Sequence, residues 1–333
     1  MNTRIKNLIA ATAASLILVA TTASALAATA IFQDGLNGYA GTEDNQILDP
    51  GTGFDDANVG GRNAIQLGNA SAISTRRGLL RFDVTSLAGL FISIDSATIT
   101  LKKVNGPTGG GTDDVEMWAI ADNNADWVEG TSVFVETPGE SSWNSKQHGT
   151  SLWIGDQPGD PFTSGGGGLL GPLQDTEVGV SGNDAASTLY TWNLDAALVT
   201  QWVTGVNAGV LIKEANELDG FGSGTDLQIE FGSKEFGDPI LDAAQHPKLE
   251  ITFTPVSQDG DFNDDFVVDG ADFLLWQQLF GIALFADDLV DWQNNYGTGA
   301  VLSAAASSAV PEPSTVVLAV MGLVGLLRRT RLG

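Results

Sequence analysis

The chain has 333 residues and no cysteine, and its 41 acidic residues outnumber its 15 basic ones, which gives a formal net charge of −26. Binding to nucleic acid relies on Lys and Arg side chains that neutralise phosphates, so this balance excludes nucleic acid as a natural partner. The lack of cysteine excludes disulfide bonds, a thiol nucleophile and cysteine metal sites.

The N-terminal residues have the pattern of a secretory signal peptide. Arg4 and Lys6 precede an apolar segment at 8–20, and residues 25–27 then read Ala-Leu-Ala. A basic start, an apolar middle and an A-x-A end predict cleavage by signal peptidase. Residues 1–27 are therefore expected to be removed, and the rest of the chain is expected to be exported.

Residues 28–255 show the alternation that is typical of β-strands. Apolar and polar residues alternate in four segments, at 80–84, 97–102, 226–231 and 248–253. Strands with one apolar and one polar face fit sheets that cover a shared core. Only 196–203 has a helical pattern, and 155–183 has the composition of an extended Gly/Pro-rich loop. This pattern predicts a mainly β domain, a β-sandwich of the jelly-roll type.

A series of short motifs in this domain carries a resemblance to a known family. They are Arg-Gly-Leu-Leu-Arg-Phe-Asp at 77–83, Ile-Asp-Ser-Ala-Thr-Ile-Thr-Leu at 94–101, Trp-Val-Glu at 127–129, Ser-Trp-Asn at 142–144, Phe-Gly-Ser-Lys-Glu at 231–235 and His-Pro-Lys-Leu at 246–249. In this order they resemble the DNRLRE family, a secreted jelly-roll domain related to disaggregatase repeats and carbohydrate-binding modules. The resemblance covers most of 30–254, and it implies contact with extracellular polysaccharide.

Two tryptophans and two arginines are the candidate glycan ligands. Trp127 and Trp143 lie in a tryptophan-rich segment, and an aromatic ring can stack on the apolar side of a sugar. Arg77 and Arg81 share the polar face of their strand, where they could meet a glycan carboxylate. The alternative is that the tryptophans fill the core or pin loops, and that the arginines pair with surrounding acids.

The domain offers little that points to catalysis. No G-x-S-x-G pattern is present, and His148 and His246 are expected at the surface. Asp126 and Glu129 have the residue types of a glycosidase acid and base, but their spacing suits a loop lock equally well. The sequence therefore favours a non-catalytic protein, with a glycosidase or lyase and a purely structural envelope protein as the alternatives. A structural calcium ion is a further hypothesis for the acids near the N-terminus, which are Asp34, Glu43, Asp44, Asp49, Asp55 and Asp56.

A calcium-loop pattern begins the second domain, at 259–297. Counted as a 12-residue loop, it places oxygen-bearing side chains at positions 1, 3, 5, 9 and 12 and a backbone carbonyl at position 7. These predicted Ca²⁺ ligands are Asp261, Asn263, Asp265, Val267, Asp269 and Asp272. A helix should follow, and residues 271–281 recur in register at 287–297. The repeat predicts two related helices that pack on each other.

The loop and the repeat together resemble a dockerin-type domain. That resemblance implies bound calcium and a cohesin-like partner. Phe266 stands where the loop favours glycine, which suggests weak calcium affinity. Gly270 and Ala271 stand at the positions that carry partner recognition, which argues against cohesin binding. The favoured interpretation is that the ion stabilises a unit too small to have its own core.

The C-terminal residues resemble a protein-sorting signal. After an Ala/Ser-rich linker at 298–309 come Pro311, Glu312 and Pro313, an apolar run at 316–327, and a cluster of arginines. This order resembles the PEP-CTERM signal and implies processing by an exosortase. A 12-residue helix spans roughly 18 Å, less than the ~30 Å hydrocarbon core, which suits a transient inner-membrane anchor. Residues 310–333 are therefore expected to direct the chain to the envelope, the outer surface or the extracellular matrix; an ordinary single-helix anchor is the alternative.

Overall fold

The structure, a computed structural model, describes residues 27–49, 52–69, 75–104, 111–154, 170–216, 227–238, 241–256, 258–263 and 265–298. Nearly all of the predicted signal peptide and linker, and the predicted C-terminal hydrophobic helix, lie outside these residues.

Antiparallel strands make up most of the described chain. In chain order they are β1 (Ala28–Phe32), β2 (Thr42–Leu48), β3 (Ala64–Asn69), β4 (Thr75–Phe82), β5 (Phe91–Lys102), β6 (Thr112–Ile120), β7 (Ser145–Gln147), β8 (Ser151–Leu152), β9 (Leu170–Ser181), β10 (Leu189–Leu194), β11 (Val210–Glu214), β12 (Gln228–Gly232) and β13 (Lys248–Pro255). The prediction of a mainly β chain is confirmed.

The strands form two large sheets and one small hairpin. The first sheet has the order β1-β13-β5-β10. The second has the order β12-β3-β4-β11-β6-β9, with β2 paired to β4, and β7 pairs with β8. At Gly68, at the end of the β3–β12 ladder, φ is +91° and an added Cβ would lie 1.8 Å from the carbonyl oxygen of Leu227. Only glycine fits such a close approach.

One hydrophobic core lies between the two large sheets. Apolar residues of β4, β5, β12 and β13 point into it, and Phe82, Ile99, Phe231 and Ile251 are completely buried. The helix α1 (Ala196–Thr204) adds Trp202 to the same core. The four predicted amphipathic strands and the predicted helix are therefore confirmed.

A second hydrophobic cluster covers the other face of the larger sheet. It joins Ile47, Leu79 and Leu211 of β2, β4 and β11 with three tryptophans, which are Trp127, Trp143 and Trp153. These tryptophans come from residues 121–154, a segment of short turns and the β7–β8 hairpin that we call the outer layer. Because of the outer layer, β4 is buried on both faces, and its predicted polar face does not lie at the surface.

The prediction of a continuous loop at 155–183 is wrong at its C-terminal end. Residues Leu170–Ser181 form β9, an edge strand that pairs only with β6 among the described strands. Most of its side chains are half-buried or exposed. A strand with so little burial carries no apolar alternation, so its sequence gave no strand signal.

Two short helices lie within residues 258–298, which we call the helix pair. They are α2 (Gly270–Leu279) and α3 (Ala286–Asn295). The rings of Phe273 and Trp292 lie 4.9 Å apart, centre to centre, between them. The indole Nε1 of Trp276 donates to the Phe285 carbonyl at 2.8 Å, and that of Trp292 donates to the Asp269 carbonyl at 2.7 Å. Each helix therefore donates a tryptophan hydrogen bond to the N-cap residue of the other helix. The two tryptophans are 16 residues apart, and so are the two N-cap residues, which is the offset of the sequence repeat.

Candidate functional site

The predicted calcium loop leads directly into α2. Three of its carboxylates, those of Asp261, Asp265 and Asp272, each place an oxygen within 4.8 Å of the other two. Ca²⁺ binds about six to eight oxygen ligands, and a short loop of this kind can supply most of them. The structure therefore brings together the first, fifth and twelfth positions of the predicted ligand set.

Asp272 is the centre of this loop. Its side chain is completely buried, and one of its oxygens accepts the N–H groups of Phe262 at 2.8 Å and Asn263 at 3.2 Å. The other oxygen accepts the N–H of Asp269 at 2.8 Å, as part of a capping box at the start of α2. Asp272 thus connects the beginning of the loop to the beginning of the helix.

The remaining predicted ligands are engaged within the loop. The Asn263 side chain accepts the Asp265 N–H at 3.0 Å and donates to an Asp265 carboxylate oxygen at 2.9 Å. Asp265 also accepts the Val267 N–H at 3.0 Å, and Asp269 accepts the Ala271 N–H at 2.6 Å as the helix cap. Each carboxylate has about four lone-pair directions, so these bonds leave acceptor capacity for an ion.

Two features of the loop bear on its fit to calcium. Burial, together with the nearby carboxylates of Asp272 and Asp265, raises the pKa of Asp261, although N–H bonds from Phe266 and Asp265 oppose this shift. A divalent cation would remove that repulsion. Phe266 has φ +69°, the conformation expected at the glycine position, and its side chain is buried. The loop thus adopts the required turn at the cost of backbone strain.

The second copy of the repeat lacks this arrangement. Asp288, the equivalent of Asp272, accepts one N–H within the described residues, that of Phe285 at 2.6 Å. Residues 282–285 offer no oxygen-bearing side chains. The helix pair therefore has one candidate calcium loop within the described residues.

The four candidate glycan ligands form two cation–π pairs. The guanidinium of Arg77 lies 4.9 Å from the centre of the Trp143 ring, and that of Arg81 lies 4.5 Å from the centre of the Trp127 ring. Trp127 is 1% exposed and Trp143 is 3% exposed. The Trp127 Nε1 also donates to the Ala208 carbonyl at 2.9 Å. Neither ring has a free face for a sugar, which matches the alternative that these tryptophans fill the core.

Arg81 also makes polar contacts beside its pair with Trp127. It pairs with Glu43 and donates to the carbonyls of Ala125 and Trp127. The pairing with a surrounding acid, the alternative considered for the arginines, is therefore present. Arg81 therefore attaches the outer layer to β4 in two ways, by its cation–π contact with Trp127 and by its hydrogen bonds to backbone carbonyls.

A buried acidic cluster lies next to Arg81, and sequence reasoning did not find it. One oxygen from each of Asp44, Glu129 and Glu235 lies within 4.8 Å of the others. Lys234 binds Glu129 through its ammonium group and donates its backbone N–H to Asp44 at 2.9 Å. These residues come from distant segments, so no local spacing indicates the cluster. Of the N-terminal acids considered for calcium, only Asp44 belongs to it.

Burial controls the protonation of this cluster. It raises the pKa of Glu129 to about 8, against the opposing effect of the Lys234 bond. It also raises the pKa of Asp44 well above its usual value, and the carboxyls of Glu235 and Glu129 add to that shift. Asp126, the other half of the considered acid–base pair, is exposed and binds Lys146 at 2.6 Å instead. Asp126 and Glu129 therefore have separate partners.

An open cleft adjoins the cluster, with a volume of about 560 Å³. Its polar lining includes Glu43, Arg81, Asp83, Glu129, Asn207 and Lys234, and we refer to this space as the cleft. Three of these residues were singled out in the sequence, each for a different reason: Arg81 as a glycan ligand, Glu129 as a possible acid or base, and Glu43 as a possible calcium ligand.

The histidine prediction is wrong for one residue. His246 is 1% exposed, and its ring nitrogens lie 2.9 Å from the Asp34 carbonyl and 3.0 Å from the Phe236 carbonyl. It joins two loops from distant parts of the chain.

Comparison with known proteins identifies the C-terminal segment. Residues 309–331 match the family model described as the PEP-CTERM protein-sorting motif. No curated protein matches the chain. The motif marks an exported, surface-sorted protein that is processed by an exosortase. Within the described residues, no helix has the length and apolar character to cross a membrane.

Proposed function

We propose that the chain is a non-catalytic surface protein that associates with extracellular polysaccharide and whose helix pair binds Ca²⁺. The sorting motif at 309–331 is the observation that carries the proposal, because it directs the protein to the cell surface. The net charge of −26 further favours a partner that is not polyanionic.

The resemblance of 30–254 to DNRLRE jelly rolls supports the polysaccharide partner. The two antiparallel sheets around one core are compatible with such a domain. Because Trp127 and Trp143 are buried, we expect the polysaccharide to contact a different part of the domain.

Convergence of three carboxylates supports the calcium proposal. Asp261, Asp265 and Asp272 would supply the charged oxygens, and the nearby Asn263, Val267 and Asp269 would complete a dockerin-like set. When bound, calcium would hold the loop against the start of α2. The ion would then act as a structural support for the helix pair, with a cohesin-like partner less favoured because of Gly270 and Ala271.

Two measurements on the exported chain, residues 28–333, test this function. A glycan array is probed with calcium and again with a chelator, and melting temperature is measured in both conditions. Binding to one glycan class supports the polysaccharide partner, and a calcium-dependent rise in melting temperature supports the ion. A chain that binds no glycan and melts identically with chelator contradicts both.

A polysaccharide-degrading enzyme is the second candidate, favoured by one observation. Glu129 is a nearly buried carboxyl beside an open cleft, and burial raises its pKa to about 8, as a general acid at neutral pH requires. Its bond to Lys234 argues against this role, because that bond favours the ionised form. Release of new reducing ends from a glycan, lost in Glu129→Gln, would establish the enzyme.

A further inference from the structure

The cleft has the composition of a binding site for a polar ligand. Its volume of about 560 Å³ falls within the ~300–1,000 Å³ range of small-molecule pockets. Trp202 and Phe82 border the cleft, but both side chains are buried in the core and offer no apolar platform to a ligand. Hydrogen-bond donors and acceptors line the cleft. They come from β2, the end of β4 and the loop after α1.

The charges that line the cleft are mostly neutralised by each other. Glu43 pairs with Arg81, and Glu129 pairs with Lys234. Asp83 is the remaining acid, and hydrogen bonds from Thr85 lower its pKa, so that it stays ionised. Below the raised pKa of Glu129, about 8, that carboxyl is protonated and uncharged. Glu43 and Asp83 then balance Arg81 and Lys234, so the lining has no surplus positive charge for an acidic ligand.

The same groups retain hydrogen-bonding capacity toward the cleft. The Glu43 side chain is 41% exposed, and one of its oxygens makes the contacts with Arg81. Asp83 uses one oxygen to accept from the N–H and hydroxyl of Thr85, at 2.9 and 2.6 Å. Carboxylates accept from hydroxyl groups, and Lys and Arg donate to them. A ligand with many neutral hydroxyl groups can use both kinds of partner at once.

We propose that the cleft is the site at which the protein holds a neutral polysaccharide, with Glu43 and Asp83 accepting sugar hydroxyls. This inference rests on the proposed association with polysaccharide. It places the sugar at the cleft and excludes uronic acid chains, because the lining has no surplus positive charge to pair with their carboxylates.

The test uses the exported chain, residues 28–333, in a detergent without a sugar headgroup. Calorimetry compares neutral hexose oligosaccharides, drawn from the class that binds on the array, with oligogalacturonate and oligoglucosamine. The variants are Asp83→Asn and Glu43→Gln, which keep one acceptor oxygen for Thr85 and for Arg81. Asp95→Asn is the matched control, because Asp95 also accepts from hydroxyls, those of Ser93 and Thr254, and does not line the cleft.

We expect the neutral oligosaccharide to bind the unaltered chain and the control equally, and each cleft variant to bind at least about tenfold more weakly. Melting temperatures show that the variants are folded. Undiminished binding by both folded variants would overturn the cleft assignment and leave the proposed function standing. Equal binding of oligogalacturonate or oligoglucosamine would overturn the neutral class. Failure of every glycan to bind the unaltered chain would refute the proposed polysaccharide partner itself.

Discussion

Asp272→Asn should open the helix pair locally, whereas the equivalent change Asp288→Asn should not. Both positions belong to the same 16-residue repeat, and both side chains accept from the N–H of a helix-capping residue. Asp272 also accepts two further N–H groups with its second oxygen. An asparagine has one acceptor oxygen, so it can serve only one side of Asp272, but it can fully replace Asp288.

The difference in free energy follows from these bonds. Asp272→Asn loses one or two charge-assisted bonds inside a buried site, at about 1.5–3 kcal/mol each, and places an amide N–H₂ against a backbone donor. The loss of roughly 2–5 kcal/mol is large for a unit of this size. Asp288→Asn weakens one bond at a half-buried position, which costs about 1 kcal/mol or less.

The free energy of local opening can be measured by amide hydrogen exchange of the exported chain. Mass spectrometry then follows the exchange in peptides from 265–298. Without calcium, exchange of the α2 amides should accelerate at least about 30-fold in Asp272→Asn and less than about tenfold in Asp288→Asn. Calcium at 100 times its dissociation constant should add about 2.7 kcal/mol of protection to the unaltered chain and to Asp288→Asn only. Equal effects of the two variants, or calcium protection retained by Asp272→Asn, would show that Asp272 does not organise the loop.

Three further outcomes are expected. Phe266→Gly relieves about 1–2 kcal/mol of left-handed strain but removes a buried ring worth about 1.5–3 kcal/mol, so hydrogen exchange in the helix pair should increase; slower exchange would contradict this. Arg81→Lys should lower the free energy of unfolding of the sandwich by about 1–3 kcal/mol, because lysine cannot stack on Trp127 and bind two carbonyls together; an unchanged urea midpoint would mean that the outer layer does not depend on Arg81. Glu129 takes up a proton on folding between its unfolded pKa of 4.5 and its folded pKa of about 8, so stability should fall as pH rises through that window and then level off. Urea titrations at several pH values should show this fall for the unaltered chain and a weaker one for Glu129→Gln, and equal slopes would exclude Glu129 as the source.

The sequence predicted the features that depend on neighbouring residues. Apolar alternation located β4, β5, β12 and β13, because each buries one face against the shared core. The spacing of Leu198 and Trp202 located α1. The loop at 261–272 could also be predicted, because its converging carboxylates are close together in the sequence.

The features that the sequence did not predict depend on distant segments. β9 has few buried residues and therefore no apolar signal. The outer layer is recognisable only when its tryptophans are seen on β4, and the same is true of the acidic cluster, where Asp44, Glu129 and Lys234 meet. His246 precedes a strand in the sequence, but its neighbours Asp34 and Phe236 come from other loops. Residue type and spacing along the chain do not show which distant segments come into contact.

The pairing of β1 with β13 has a consequence for the timing of folding during export. Ala28 lies opposite Phe253, so the first strand of the exported chain finds its partner about 225 residues later. Contacts this far apart in sequence form slowly and only after both segments are available. The first sheet therefore cannot be completed until β13 has left the translocation channel. The helix pair at 258–298 and the sorting motif at 309–331 still follow at that point, so the sandwich can close while the C-terminal part of the chain is in transit.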